Sequence, residues 1–282
     1  MAIVFALGSA LMYGVSDYYG GRHSRTHAPI SIALSAEMAI AVIFGLTVPF
    51  VESAPITPQA IGAGAVAGLC GSAGVLGLYA ALSRGNMTVV APVTGVVAAA
   101  FPVLVGVLLG ERPGPAAAIG IVAAIASVGL IGGMLGMRGQ PIDADTILLA
   151  VVVGAAFGGL FIAYAQAGDD SGLWPVLGAR LGALPLLGIT YVVARRAGRA
   201  GPLGPDVLRH GVLIGVMIGV ANACYLLAAQ RGLLSVVAVV VALYPAATIA
   251  LAAALDGERA VRTQVAGMLI AVGAVGLIAL GS

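Results

Sequence analysis

The chain of 282 residues contains no lysine; all 13 of its basic residues are arginines. A Walker A loop needs its lysine on the phosphates, and a pyridoxal enzyme needs one for the Schiff base. The gap argues against an ATP-driven pump encoded in this chain alone, although arginine-biased coding accounts for the gap itself. Charge of either sign is scarce. Only 9% of residues are charged and the formal net charge is +2, with the arginines scattered, so nucleic acid is not an expected partner. The two cysteines, Cys70 and Cys224, stand alone inside apolar stretches and read as small buried hydrophobes. The three histidines, His23, His27 and His210, lie near the ends of apolar runs without metal-ligand spacing. Neither a metal nor any other cofactor is expected.

What is present is apolar. The set AVILMFWYC makes up 61% of the chain, with 42 glycines besides, and the mean hydropathy is +1.11. Soluble domains are roughly 45–50% apolar and 25% charged. So little charge could not cover a water-facing surface of this size, and lipid is the expected solvent.

A spanning helix needs about 20 mostly apolar residues. Ten segments qualify: 2–19, 30–51, 59–82, 88–109, 115–136, 147–167, 174–194, 211–230, 235–255 and 264–280. The segments are continuously apolar, not alternating, which predicts helices and not a barrel. The first lacks a basic flank and nine similar segments follow, so it reads as a helix and not as a signal peptide.

The chain repeats itself once, in halves 1–137 and 146–281. Arg84-Gly85 recurs as Arg231-Gly232, and Gly110-Glu111-Arg112 as Gly257-Glu258-Arg259, both at an offset of 147 residues. At that offset 19 of the 48 positions from 84 to 131 are identical. Gly64, Gly68 and Ser72 likewise map onto Gly211, Gly215 and Gly219. Small residues at every fourth position let helices approach closely in lipid. Each half holds five segments, an odd number, so the halves are expected to cross the membrane in opposite senses. The fold class expected is an all-α integral membrane protein, ten transmembrane helices in two inverted-topology five-helix repeats. Many secondary transporters have that architecture, with the substrate site near the midplane.

The loops after odd-numbered segments hold ten arginines and the other side two (Arg112 and Arg231); Arg180 lies within segment seven. The positive-inside rule then puts the odd loops in the cytoplasm and both termini outside.

These features resemble the EamA family of the drug/metabolite transporter superfamily over essentially the whole chain. The motifs are an aromatic-Gly pair in the first helix of each half (Tyr13-Gly14, Phe157-Gly158), a proline before the second (Pro29, Pro175), and the two Gly-Glu-Arg turns. The resemblance implies a secondary transporter of small metabolites, often outward and often of amino acids or cationic compounds. It also implies a central cavity lined by both halves, with the fifth helix of each half packed peripherally. The chain departs from the family in two respects: its termini are expected outside, and Glu37 stands in segment two where an arginine is usual.

Ionisable groups inside a span cost about 2.5–3.5 kcal/mol on insertion scales and are candidates by default. Glu37 lies about 10 Å deep at 1.5 Å per residue. It reads as a proton-coupling or cation-binding carboxylate, or as a structural partner for an arginine or hydroxyl. Asp17 is shallower, either a second coupling carboxylate or an interfacial group near Arg22. Arg180 enters from the opposite face to Glu37 and suits an ion pair, a substrate carboxylate or helix carbonyls. Tyr13, Tyr164, Tyr225 and Tyr244 lie too deep for an interfacial belt and suit a cavity wall that holds cations or flat solutes; Tyr79 is nearer a helix end. Asn222, one turn before Tyr225, is a polar contact or an interhelical hydrogen bond. Trp174 reads as an interfacial anchor, and Pro245, taken to lie inside the ninth helix, as a bend or hinge.

No constellation of a membrane enzyme appears in the spans. The expected function is a secondary transporter of a small polar or cationic metabolite (amino acid or amine class), an exporter working by alternating access with proton coupling. The alternative is a facilitative or antiport carrier of a phosphorylated sugar or lipid-linked intermediate. Expected partners are the small-molecule substrate and membrane lipid, for a monomer or homodimer in the plasma membrane.

Overall fold

A computed structural model describes residues 1–83, 87–137, 144–257 and 260–281. Among these residues every regular element is helical: α1 (Ala2–His23), α2 (Pro29–Val51), α3 (Pro58–Ser83), α4 (Met87–Leu108), α5 (Pro115–Ile131), α6 (Ala144–Ala165), α7 (Trp174–Arg196), α8 (Pro205–Ala229), α9 (Leu234–Val241), α10 (Tyr244–Leu255) and α11 (Arg262–Gly281), with a 3₁₀ turn at Met134–Met137. Eight stretches are long and apolar enough to cross a membrane, α9 and α10 together counting as one, and α5 is a shorter apolar helix. In lipid a helix satisfies its own backbone groups, which is why uniformly apolar segments take this form. Proline opens α2, α5, α7, α8 and α10, where its missing N–H costs no hydrogen bond.

The ninth segment departs from the sequence expectation. It is two helices, broken by a turn at Ala242 and Leu243. Pro245 has no N–H to offer the Val241 carbonyl, so the chain stops and restarts with Pro245 in the first turn of α10. All eight side chains of α9 are buried at the centre of the bundle.

Equivalent helices of the two halves exchange equivalent contacts. α3 lies on α7 as α8 lies on α2; α1 packs on α8 as α6 packs on α3; α1 meets α9 and α10 as α6 meets α4. The small-residue stripes make the first of these. Gly64 and Gly68 face the backbone of Pro175 and Ala179, and a methyl group at either would overlap a carbonyl oxygen. Gly211 and Gly215 sit in the same way against Ser35 and Ala36. α5 and α11 pair reciprocally and antiparallel: Gly120 meets Ile278, and Gly267 meets Ile131. Large apolar side chains such as Phe50, Leu104, Val122, Ile189 and Val272 cover the outside, where lipid rather than water is their natural neighbour.

Candidate functional site

The Gly-Glu-Arg motif shows how the halves are tied. Gly110 follows α4 with φ +95°, a left-handed conformation that a side chain would strain. That turn sends Glu111 to the other half, where its carboxylate accepts the N–H groups of Leu234 (2.6 Å) and Ser235 (2.9 Å) at the start of α9. The second copy's Gly257 repeats the positive φ at +68°; Glu258 and Arg259, like Arg84, Gly85 and Arg138, lie outside the described residues.

Further bonds between the halves lie at this end. Glu52 accepts the Leu173 N–H at 2.8 Å, and Gln59 donates to the Gln166 carbonyl at 2.9 Å. Trp174 is no membrane-facing anchor: its ring is buried beside Val48 and Ala60, and its indole N–H donates to the Ala54 carbonyl at 2.7 Å. At the opposite end Arg22 pairs with Asp256, which also accepts from the Tyr18 hydroxyl at 2.8 Å.

Between these two ends sits a polar cluster. α2 and α7 run antiparallel, Leu34 near Leu187 and Val48 near Trp174. Their crossing brings Glu37 and Arg180 into a hydrogen-bonded ion pair, with side chains only 16% and 6% exposed. Tyr164 lies beside both groups, and its side chain bonds Arg180. The Nε of Arg180 has no hydrogen-bond partner among the described residues. A buried charged donor left unpaired is costly, and a ligand oxygen would satisfy it.

The aromatic candidates assemble around this pair. Tyr225 donates to the Phe161 carbonyl at 2.9 Å and stands 6.2 Å, ring to ring, from Tyr164. The Tyr13 hydroxyl bonds the Asn222 side chain, and its ring lies 6.3 Å from Tyr244. Arg180, Tyr164 and Tyr225 are all close enough to act electrostatically on Tyr13. Tyr164, Tyr225 and Asn222 are buried, while Tyr13 and Tyr244 keep part of their surface free.

Asp17 lies one turn along α1 from Tyr13 and close to both Tyr13 and Tyr244. It is exposed and makes no hydrogen bond or ion pair among the described residues; Arg22, near which the sequence could have put it, is taken by Asp256. The backbone of Tyr79 belongs to α3, and its side chain lies outside the described residues.

Two features escaped sequence reading. The hydroxyls of Ser31 and Ser235 are buried without a partner among the described residues, and single serines in apolar helices carry no signal of that. A groove of about 440 Å³ between α3, α4 and α6 is lined by Val66, Cys70, Phe101 and Ile162. Its lining is apolar apart from Gln166.

No curated protein matches the chain in sequence. Among solved structures, a crystal structure of a protein shares the fold, with a TM-score of 0.76 at 15% identity over 100% of this chain and 99% of that one. The model of the EamA-like transporter family matches residues 1–133 and again 144–280. With both halves matched, this two-repeat helical membrane protein belongs to the EamA-like transporter family.

Proposed function

We propose that the protein is a ten-span, inverted-repeat secondary transporter that exports a small polar or cationic metabolite of the amino-acid or amine class by proton-coupled alternating access. The observation that carries this reading is the Glu37–Arg180 pair, buried between the halves with Arg180 Nε unpartnered among the described residues. A substrate carboxylate takes the Arg180 Nε–H that has no partner among the described residues, and protonating Glu37 removes negative charge that favours the substrate's ammonium group. An ammonium group fits the other side, where Asp17 supplies charge and Tyr13 and Tyr244 supply ring faces. Substrate and proton then compete for one site, which is the requirement for antiport. No catalytic role is assigned to the cluster.

The inverted arrangement is supported by α5 and α11. A two-fold operation that exchanges two antiparallel helices has its axis perpendicular to them, hence in the membrane plane. The arginine distribution puts the end bearing Arg22 and Asp256 in the cytoplasm, of the plasma membrane in this reading. Access alternates when the interhalf bonds at one end open while those at the other hold. A carrier of phosphorylated substrates would need several cations in its cavity; among the described spans Arg180 stands alone at that depth and is already paired.

Proteoliposomes with an imposed pH gradient test the proposal against amino acids, quaternary amines and phosphorylated sugars. Gradient-driven movement of an amino acid or amine, lost in Glu37→Gln, is expected. Transport by Glu37→Gln with an unchanged pH profile would overturn the coupling.

A further inference from the structure

The chain has three histidines, His23 and His27 in the first half and His210 in the second, and the fold gathers all of them at the end that bears Arg22 and Asp256. His27 lies in the turn between α1 and α2. Asp206 and His210 stand four residues apart on the first turns of α8, hence on one face of that helix. His27 Nε2 is 2.9 Å from one carboxylate oxygen of Asp206, and His210 Nε2 is 3.4 Å from the other. One ligand atom from each of the three residues falls within 4.8 Å of the others. The His23 ring stacks on His210 with centroids 3.5 Å apart, which fixes the plane of the imidazole it covers.

We propose that His27, Asp206 and His210 form a binding site for a divalent transition-metal ion of the zinc, cobalt or nickel class, bridging the two halves of the bundle. Two imidazole nitrogens and one carboxylate oxygen are a ligand set that such ions accept, with the remaining positions left to water. Magnesium and calcium prefer all-oxygen ligands and are poor candidates. The separations suit the ion as well. Ligands held about 2.0–2.2 Å from a central metal lie roughly 3.4 Å apart around a tetrahedron, so a small outward shift of the His27–Asp206 contact admits it. Water reaches the group, since the His27 and His210 side chains are 24% and 23% exposed and Asp206 is 66% exposed. A hydrogen-bonded His–Asp–His trio needs none of this spacing around a common centre, and the experiment separates the two.

The site joins the α1–α2 turn of one half to α8 of the other. Occupation therefore adds a cross-link between the halves at this end, independent of what the transporter carries.

The test uses the full chain purified in detergent through a tag without histidine. Titration with Co²⁺ followed by visible absorption, and with Zn²⁺ followed by calorimetry and thermal unfolding, should show one equivalent bound and a raised unfolding temperature. His27→Ala, Asp206→Asn and His210→Ala should each abolish binding while leaving metal-free unfolding near that of the parent, because all three groups are partly exposed. His23→Ala should weaken binding about tenfold, as removal of a group that orients a ligand does. Binding should weaken as the solution is acidified, because protons compete with the metal for its ligand atoms. Absence of a cobalt spectrum, or binding equal in parent and variants, would overturn the site.

Discussion

Arg180 on α7 and Glu37 on α2 enter the bundle from opposite ends and close into a buried ion pair. Each belongs to a different half, so the bond spans the interface that the proposed alternating access has to rearrange. Removing one member leaves the other charged and unpaired, which costs about 3–5 kcal/mol, whereas replacing both by apolar groups is often neutral. Glu37→Gln and Arg180→Met alone are expected to lower the unfolding temperature clearly. Combined as Glu37→Leu with Arg180→Met they should recover most of it and still not transport. Additive losses in the double variant would mean that the two groups act separately.

The α3–α7 crossing depends on the absence of side chains at Gly64 and Gly68. Gly68→Leu must push α7 away and should cost at least about 1–3 kcal/mol. Gly215→Leu should do the same at the equivalent α8–α2 crossing. Gly273→Ala on α11 is the control. Nothing lies within 4 Å of a methyl group there, so a gain of about 0.5–1 kcal/mol is expected from helix propensity. Thermal unfolding in one detergent ranks the three.

Glu111 holds the amino end of the buried helix α9 through two backbone N–H groups. Glu111→Ala should cost about 1–2 kcal/mol, the usual loss for a helix cap. Hydrogen exchange should rise first at Leu234 and Ser235. Unchanged protection there would show that α9 does not depend on this carboxylate.

The Tyr244 ring beside Tyr13 and Asp17 tests the nature of the substrate. If a cation rests on that ring, Tyr244→Phe should bind nearly as tightly as the parent. Tyr244→Leu should lose several-fold affinity, matching the roughly 0.5–2 kcal/mol of a cation–π contact. Equal loss in both variants would assign the contact to the hydroxyl instead.

Orientation is open to labelling. In a background without Cys70 and Cys224, Gly201→Cys in the exposed α7–α8 loop should resist an impermeant maleimide in intact cells. It should react once the membrane is permeabilised. Labelling of intact cells would reverse the assigned orientation.

Membrane insertion is a local property. Each residue adds its own transfer free energy to its segment, so the apolar segments, and Glu37 and Arg180 as ionisable groups inside them, could be read along the chain. The repeat was legible for a related reason: motifs at a constant offset of 147 residues need no knowledge of contacts.

Partnerships were not legible, because they depend on which helix faces meet. Lipid-facing and protein-facing residues are equally apolar here, so hydropathy does not distinguish the buried wall of α9 from the exposed flank of α11. Arg22 faces Asp256 rather than Asp17, Trp174 turns inward to Ala54, and His27 and His210 meet at Asp206 because the helix crossings bring those faces together. By itself the sequence determined the solvent, the segments, the duplication and the small set of groups deep enough to matter. The tertiary structure alone decided that Glu37 pairs with Arg180 and that Tyr13 bonds Asn222, since close packing of small residues selects the facing surfaces and no single segment contains that information.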